Sequence, residues 1–312
     1  MTRNPFDDIR ALIAQLPPLD AKAGRAARSL VDALPDKGAH LGALGPALVC
    51  WAAVTGQAKP LAQRPALTLF AATHGGQDDD AKRQADILAA LAAGGMPVNF
   101  ACGEAGVGLR AFEMALDHPT ADPTKADTLS ERDCAATIAF GMEALADGPD
   151  VVLLSHTPSP GAQWAGLAIC AALDRESENH WRERDPRIDA ALRRIGRNRD
   201  PLFVLQALGG RDVSAMVGAV LAARAQKALV ILDGWGAAAA FRVCQAIDGE
   251  AAAHCVFAEG ERTLLMPGSP FPPGVPLENC PKIRCSPTDS AYGMAAVTAF
   301  VQLRTAAVVT AK

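Results

Sequence analysis

The chain is expected to fold as an α/β protein: a doubly wound, Rossmann-like parallel sheet with helices on both faces. Three observations predict it. The runs Ala66–Ala72, Val151–Leu154 and Ala228–Leu232 carry no charge and suit strands buried on both faces. Between them lie longer stretches with apolar residues at helical spacing. Strand and helix alternate along the chain, which is the pattern of a parallel sheet with crossover helices.

Taken in order, Pro5 to Leu34 reads as mostly helical, with Phe6, Ile9, Leu12, Ile13 and Leu16, then a Pro17-Pro18 break. A glycine-containing loop follows from Pro35. A helix then sets Leu44, Leu48, Trp51 and Ala52 on one face. The strand Ala66–Ala72 is followed by Thr73-His74-Gly75-Gly76 and a polar, acidic loop to Arg83. Ala85–Ala93 is a helix stopped by Gly94-Gly95, and Pro97–Ala105 continues as another. Leu109–Leu116 fits strand or helix equally. Ser130 and Asp133 form a capping box for a helix reaching Leu145. The strand ending at Leu154 runs into Ser155-His156 and a proline-rich turn, and a helix occupies Gln163–Leu173. Residues 174–200 are charged and read as a solvated linker with a surface helix. Asp200-Pro201 starts a helix, with Asp as cap and Pro in the first turn. Gly209-Gly210 ends it, and Asp212 reads as the cap of the next, whose small residues from Ala215 to Ala223 allow close packing. Asp233-Gly234 ends the strand Ala228–Leu232. His254–Ala258 is a further strand candidate, residues 266–290 are irregular, and Ala291–Val309 is a closing apolar helix.

The totals exclude several classes. With 312 residues, half of them hydrophobic, the chain can bury a large core in one domain or two unequal ones. A net charge of −4 argues against nucleic acid as a partner. Eight cysteines are scattered without a CxxC pair. Cys280, Cys285 and His254 lack a fourth ligand at convincing spacing, so no metal is expected. The first residues lack a signal-peptide core, and no apolar run approaches about 18 residues without breakers or charges. No membrane partner and a cytoplasmic location are therefore expected. Gly106-Val107-Gly108 follows no clear strand, which disfavours a nicotinamide dehydrogenase, and no GxSxG elbow is present.

Several segments resemble a known family. Leu69-Phe70-Ala71-Ala72-Thr73-His74-Gly75 is similar to an F-A-A-D-H-G strand end. Gly94-Gly95 with Asn99 is similar to a G-G-A-A-I-N turn, and His40–Leu44 to part of a K-P-P-G-S-L-G-x-L segment. Asp200–Gly210 and Leu232-Asp233-Gly234 match best. The chain thus resembles the nicotinate-nucleotide:dimethylbenzimidazole phosphoribosyltransferases of cobalamin biosynthesis. The resemblance implies a nucleotide-binding core over residues 61–284, a small helical domain from residues 1–60 and 285–312, and a homodimer. It implies transfer of phosphoribose from nicotinate mononucleotide to a benzimidazole-type base, without cofactor or metal. Such a reaction calls for a base to take the benzimidazole proton and for backbone amides at helix starts to hold phosphate.

The reactive loops depart from the family. Where it has G-E-M-G-I-G-N-T-T, this chain has Ser155-His156-Thr157-Pro158-Ser159-Pro160-Gly161-Ala162-Gln163. His156 replaces a carboxylate, and the prolines remove N–H donors. Ser159, Gly161, Ala162 and Gln163 remain as candidate phosphate donors. Where the family has L-G-E-G-T-G-A, this chain has Arg284-Cys285-Ser286-Pro287-Thr288-Asp289-Ser290-Ala291. Asp289 is the acid nearest the missing glutamate, with Ser286 and Thr288 beside it. The candidate catalytic residues are Asp289 and His156. His74, Gly75, Ser155, Ser159, Gly161, Ala162, Gln163, Arg187, Asp233, Gly234, Ser286 and Thr288 are the candidate substrate contacts. The plainer readings are that His74 and His156 tie down their loops, that Asp233 and Asp289 cap helices, and that Arg187 is a surface charge. The alternative function is a paralogue that binds a nucleotide or protein without turnover.

Overall fold

The computed structural model describes residues 4–77, 81–174, 181–183, 185–259, 282–284 and 292–311. Six strands among them form one parallel sheet: β1 Pro65–Ala71, β2 Gly108–Glu113, β3 Val151–His156, β4 Leu229–Leu232, β5 Cys255–Glu259 and β6 Lys282–Arg284. Their order is β2-β1-β3-β4-β5-β6. The helices are α1 Pro5–Ile13, α2 Ala21–Asp32, α3 Leu44–Thr55, α4 Ala81–Ala92, α5 Pro97–Ala105 and α6 Glu131–Glu143, followed by α7 Pro160–Leu173, α8 Pro186–Ile195, α9 Pro201–Leu208, α10 Arg211–Ala225, α11 Trp235–Ile247 and α12 Met294–Ala311.

Alternation along each strand feeds two cores. Val152, Leu154, Val230 and Leu232 join the core under α6, α7, α10 and α11. Val151, Leu153, Leu229 and Ile231 join the core under α3, α4, α5 and α12. Both faces being covered, β1, β3 and β4 are buried along their whole length apart from half-buried His156. The edge strand β2 is half-exposed, and its residues did not decide between strand and helix. Pairing decides it: Leu109 sits opposite Leu67 and Phe112 opposite Phe70, whose rings stack at 5.5 Å. Close approach of α6 and α10 depends on the small residues, since a Cβ on Gly218 would fall 1.9 Å from the Ile138 carbonyl oxygen.

The chain steps from β1 outward to β2, then crosses back to β3. Right-handed crossovers then place α4 and α5 on one face and α6 on the other. The direction therefore reverses between β1 and β3. In open parallel sheets ligands bind in the crevice at such a point, beyond the carboxyl ends of the strands.

Helix starts follow the capping residues. The Asp200 carboxylate accepts from the Phe203 amide at 3.0 Å, and Ser130 Oγ from the Asp133 amide at 3.0 Å. Two expected caps need correcting. α10 begins at Arg211 behind Gly210, with Asp212 already inside the helix. α11 begins at Trp235 behind Gly234, so Asp233 is not its cap. The helix after β3 also starts earlier than expected, at Pro160, because Ser159 caps it.

Two stretches, Ala81–Ala105 and Met294–Ala311, are long and apolar enough to cross a membrane by length and composition, which corrects the expectation from sequence. Each has other work here. The first is broken between α4 and α5, where Gly94 takes φ +73°. The second buries Phe300, Leu303, Ala306 and Ala307 against the sheet core.

Candidate active site

The carboxyl ends of β1, β3 and β4 are neighbours in the sheet, so the loops that follow them meet at one edge. After β1, Thr73 Oγ1 donates to the Leu116 carbonyl at 2.8 Å and the Gly75 amide donates to Thr120 Oγ1 at 3.2 Å. The segment after β2 thus clasps the loop after β1. His74, 5% exposed, lies inside this clasp, and its Nε2–H donates to Asp212 Oδ2 at 3.1 Å. Asp212 is 1% exposed. Burial alone pushes its carboxyl pKa up. The charge and hydrogen bond of His74, then the charge of His156 and the Val213 amide, outweigh burial and hold it below the usual carboxylate range.

The last residue of β3 is His156, half-buried. Its Nδ1 lies 2.8 Å from the Thr157 carbonyl oxygen. A carbonyl only accepts, so Nδ1 carries the proton, and in the neutral ring Nε2 carries the lone pair. The ring packs against a glycine surface at the start of α11: a Cβ on Gly236 would lie 2.8 Å from His156 Cδ2, and one on Gly234 3.2 Å from Nε2. Only a backbone without side chains leaves room for the imidazole there.

Gln84 was not singled out from sequence. It is buried on α4 in line with Ile87 and Leu91, and a polar residue on the apolar face of a helix is the signal that marks it. Thr157 Oγ1 donates to Gln84 Oε1 at 2.6 Å, and Gln84 Nε2 donates to the Pro158 carbonyl at 2.9 Å. Both ends of the amide hold the loop that carries His156.

The helix start expected to hold phosphate is already committed in part. Ser159 Oγ accepts from the Ala162 amide at 3.0 Å, and the Gln163 amide donates to the Ser159 carbonyl at 3.2 Å. The Ala162 and Gln163 amides are therefore spent inside the helix cap, which corrects their expected role as open donors. Gly161 and Ser159 are buried at the same turn, and Ser155 is buried within β3. At the end of β4, the Asp233 amide donates to the Leu154 carbonyl at 3.0 Å; Asp233 is half-buried and Gly234 exposed.

Arg187 is more than a surface charge. Its guanidinium lies 5.4 Å from the centroid of the Trp164 ring on α7, within cation–π range. Trp164 Nε1 donates to Asp185 Oδ2 at 3.1 Å, and Asp185 caps α8. These contacts hold Arg187 beside α7, about one turn from that helix's start. Ser286, Thr288 and Asp289 lie outside the described residues, as do Cys280 and Cys285. His254, the third member of the weighed metal set, is fully buried and donates Nε2–H to the Val220 carbonyl at 2.9 Å. Among the described residues no three His, Cys, Asp or Glu side chains form a group able to hold a metal ion.

The switch point of this open parallel sheet carries two histidines and the first turns of two helices, the place where nucleotide-binding α/β proteins hold their ligands. The family model described as "Phosphoribosyltransferase" matches residues 16–263. The nicotinate-nucleotide–dimethylbenzimidazole phosphoribosyltransferases of Brucella anthropi and Brucella melitensis are both 38% identical to the chain, over 284 and 285 residues, covering 84% of each partner. The chain belongs to this phosphoribosyltransferase family. A solved structure named as the same enzyme from Thermus thermophilus superimposes with a TM-score of 0.76 at 21% identity, covering 94% of this chain and 96% of that one, and shares the fold.

Proposed function

We propose that the chain transfers the phosphoribosyl group of nicotinate mononucleotide to a dimethylbenzimidazole-type base in cobalamin assembly, with His156 as the general base. The observation that carries this reading is the tautomer of His156, whose Nδ1–H is held by the Thr157 carbonyl so that Nε2 is the basic nitrogen. Family membership supplies the reaction class.

The chemistry balances around that nitrogen. One benzimidazole nitrogen attacks C1′ of the ribose as the glycosidic bond breaks. The bonding pair leaves with the pyridinium nitrogen of nicotinate, which becomes neutral and needs no acid. The proton on the other benzimidazole nitrogen goes to His156 Nε2. A neutral imidazole nitrogen that carries its lone pair can accept this proton. Arg187, oriented on Trp164, serves the 5′-phosphate, and His74, Gly75, Ser155, Asp233 and Gly234 border the sugar at the adjoining strand ends. Asp289, Ser286 and Thr288 stay in this reading only through the resemblance to the family, as does the division into a core of residues 61–284 and a cover of residues 1–60 and 285–312.

The reading extends to a homodimer in the cytoplasm. Phe100 on α5 is 70% exposed, and Val308 and Val309 on the adjoining α12 are 49% and 47% exposed, an apolar surface that a second copy would cover. Six free cysteines among the described residues suit a reducing compartment. Mixing the protein with nicotinate mononucleotide and dimethylbenzimidazole tests the function: mass spectrometry should find free nicotinate and the benzimidazole ribotide. Binding of both substrates without nicotinate release would favour the non-catalytic paralogue instead.

A further inference from the structure

Gln84 is a buried amide that the transfer chemistry does not use, and it joins the two sides of the switch point. It lies on α4, the helix that follows the loop after β1, while both its partners lie on the loop after β3. Gln84 is 2% exposed and Thr157 1%. The partners leave one orientation for the amide. The Pro158 carbonyl only accepts, so Nε2 faces it, at 2.9 Å. Oε1 then faces Thr157, whose hydroxyl must donate, at 2.6 Å.

Every polar group of Thr157 is thereby committed. Its amide donates to the Phe70 carbonyl at 3.1 Å, its hydroxyl donates to Gln84, and its carbonyl accepts from His156 Nδ1 at 2.8 Å. Thr157 follows the last residue of β3, and Pro158 after it confines it to extended backbone. The peptide between Thr157 and Pro158 carries the carbonyl that His156 uses. Gln84 grips the chain on both sides of that peptide, by the Thr157 side chain before it and the Pro158 carbonyl after it. The direction of the Thr157 carbonyl is therefore set from α4.

We propose that Gln84 is a positioning residue for the transfer reaction: by holding Thr157 and Pro158 together, it fixes the carbonyl that keeps the proton on His156 Nδ1 and the lone pair on Nε2. The inference rests on His156 being the base. Without a fixed acceptor at Nδ1, the neutral ring exchanges between its two tautomers. A ring with the proton on Nε2 cannot take another there while neutral. A Gln84 that only packed the loop would influence folding and leave the tautomer alone.

The test uses Gln84→Met, which keeps the length of the side chain and removes both hydrogen bonds. Nitrogen NMR of isotope-labelled histidine, assigned by comparison with His156→Gln, reads which nitrogen of the neutral His156 ring is protonated. The expected result is a kcat at least about tenfold lower with a KM for nicotinate mononucleotide within about threefold. The His156 signal should move from the Nδ1–H form in wild type to a mixture of both forms. In a His156→Gln background, Gln84→Met should cost less than about threefold. An unchanged tautomer, or a loss fully additive with His156→Gln, would overturn the proposal. If Gln84→Met does not fold, two variants of its partner decide. Thr157→Ser keeps the hydroxyl and should turn over within about twofold of wild type, whereas Thr157→Val keeps the shape and should fall at least about fivefold. Equal turnover in the two, or the reverse order, would overturn the proposal. A wild-type protein that releases no nicotinate would instead overturn the underlying function, and the tautomer of His156 in Gln84→Met would still show whether Gln84 fixes the ring.

Discussion

Gly210 and His74 claim the same volume: a Cβ on Gly210 would lie 2.2 Å from His74 Cε1 and 2.6 Å from Asp212 Oδ1. The glycine directly ahead of α10 therefore leaves the space in which the buried His74–Asp212 hydrogen bond is built. Gly210→Ala should displace the imidazole from the carboxylate. The expected cost is about 1–3 kcal/mol of stability from overpacking, read by denaturant unfolding, together with a clear fall in turnover. A variant with wild-type stability and turnover would mean that the pair tolerates displacement.

Acid sensitivity should originate far from the cleft. His254 is buried, and burial first, then the Arg224 charge, lowers its pKa from 6.5 to about 3. The unfolded chain binds the proton more readily, so this contribution to stability is complete above pH 6.5 and is lost as pH falls toward 3. The slope approaches about tenfold in the folding equilibrium per pH unit. The lowered pKa of Asp212 acts elsewhere: its contribution is complete above its usual value of 3.8 and lost only below it. Urea unfolding between pH 4 and pH 7 should therefore show a steeper loss in wild type than in His254→Gln, whose amide still donates to Val220 but does not titrate. Equal slopes would remove His254 as the source.

Arg187 should govern phosphate recognition. Arg187→Met keeps the aliphatic stem on Trp164 and removes the charge. Loss of a charge-assisted contact is worth about 1.5–3 kcal/mol, so KM for nicotinate mononucleotide should rise roughly 10- to 100-fold with kcat changed much less. Steady-state kinetics with saturating benzimidazole measures this. A KM within twofold of wild type would place the phosphate elsewhere.

The exposed apolar surface of α5 and α12 predicts a homodimer that a charge disrupts. Phe100→Glu should shift the molecular mass measured by light scattering from dimer to monomer. A wild-type protein that is monomeric at micromolar concentration would contradict this part of the account.

The parallel sheet was legible because β1, β3 and β4 are buried on both faces and read as unbroken apolar runs. β2 was not, because its half-exposed residues carry no clean period, and only pairing with β1 fixes it. His74 and His156 drew attention by following strands, and the fold sets those strands side by side. Asp212 was misread as a cap because a Gly-Gly-x-Asp sequence before an apolar run has that local form. Its partner His74 is 138 residues away, beyond any local pattern. Ser159 was read as a phosphate donor and not as a cap; its Oγ also accepts from the Ala162 amide, since Pro160 and the helix that follows need a cap.

The central claim is that an imidazole has taken over the proton transfer at the rim of this fold. It is tested most directly by single-turnover nicotinate release from His156→Gln, with substrate binding measured in parallel by calorimetry. The account predicts that the Kd for nicotinate mononucleotide stays within about threefold while the rate falls about 10²- to 10⁴-fold, the contribution typical of a general base. An unchanged rate at unchanged binding would contradict it.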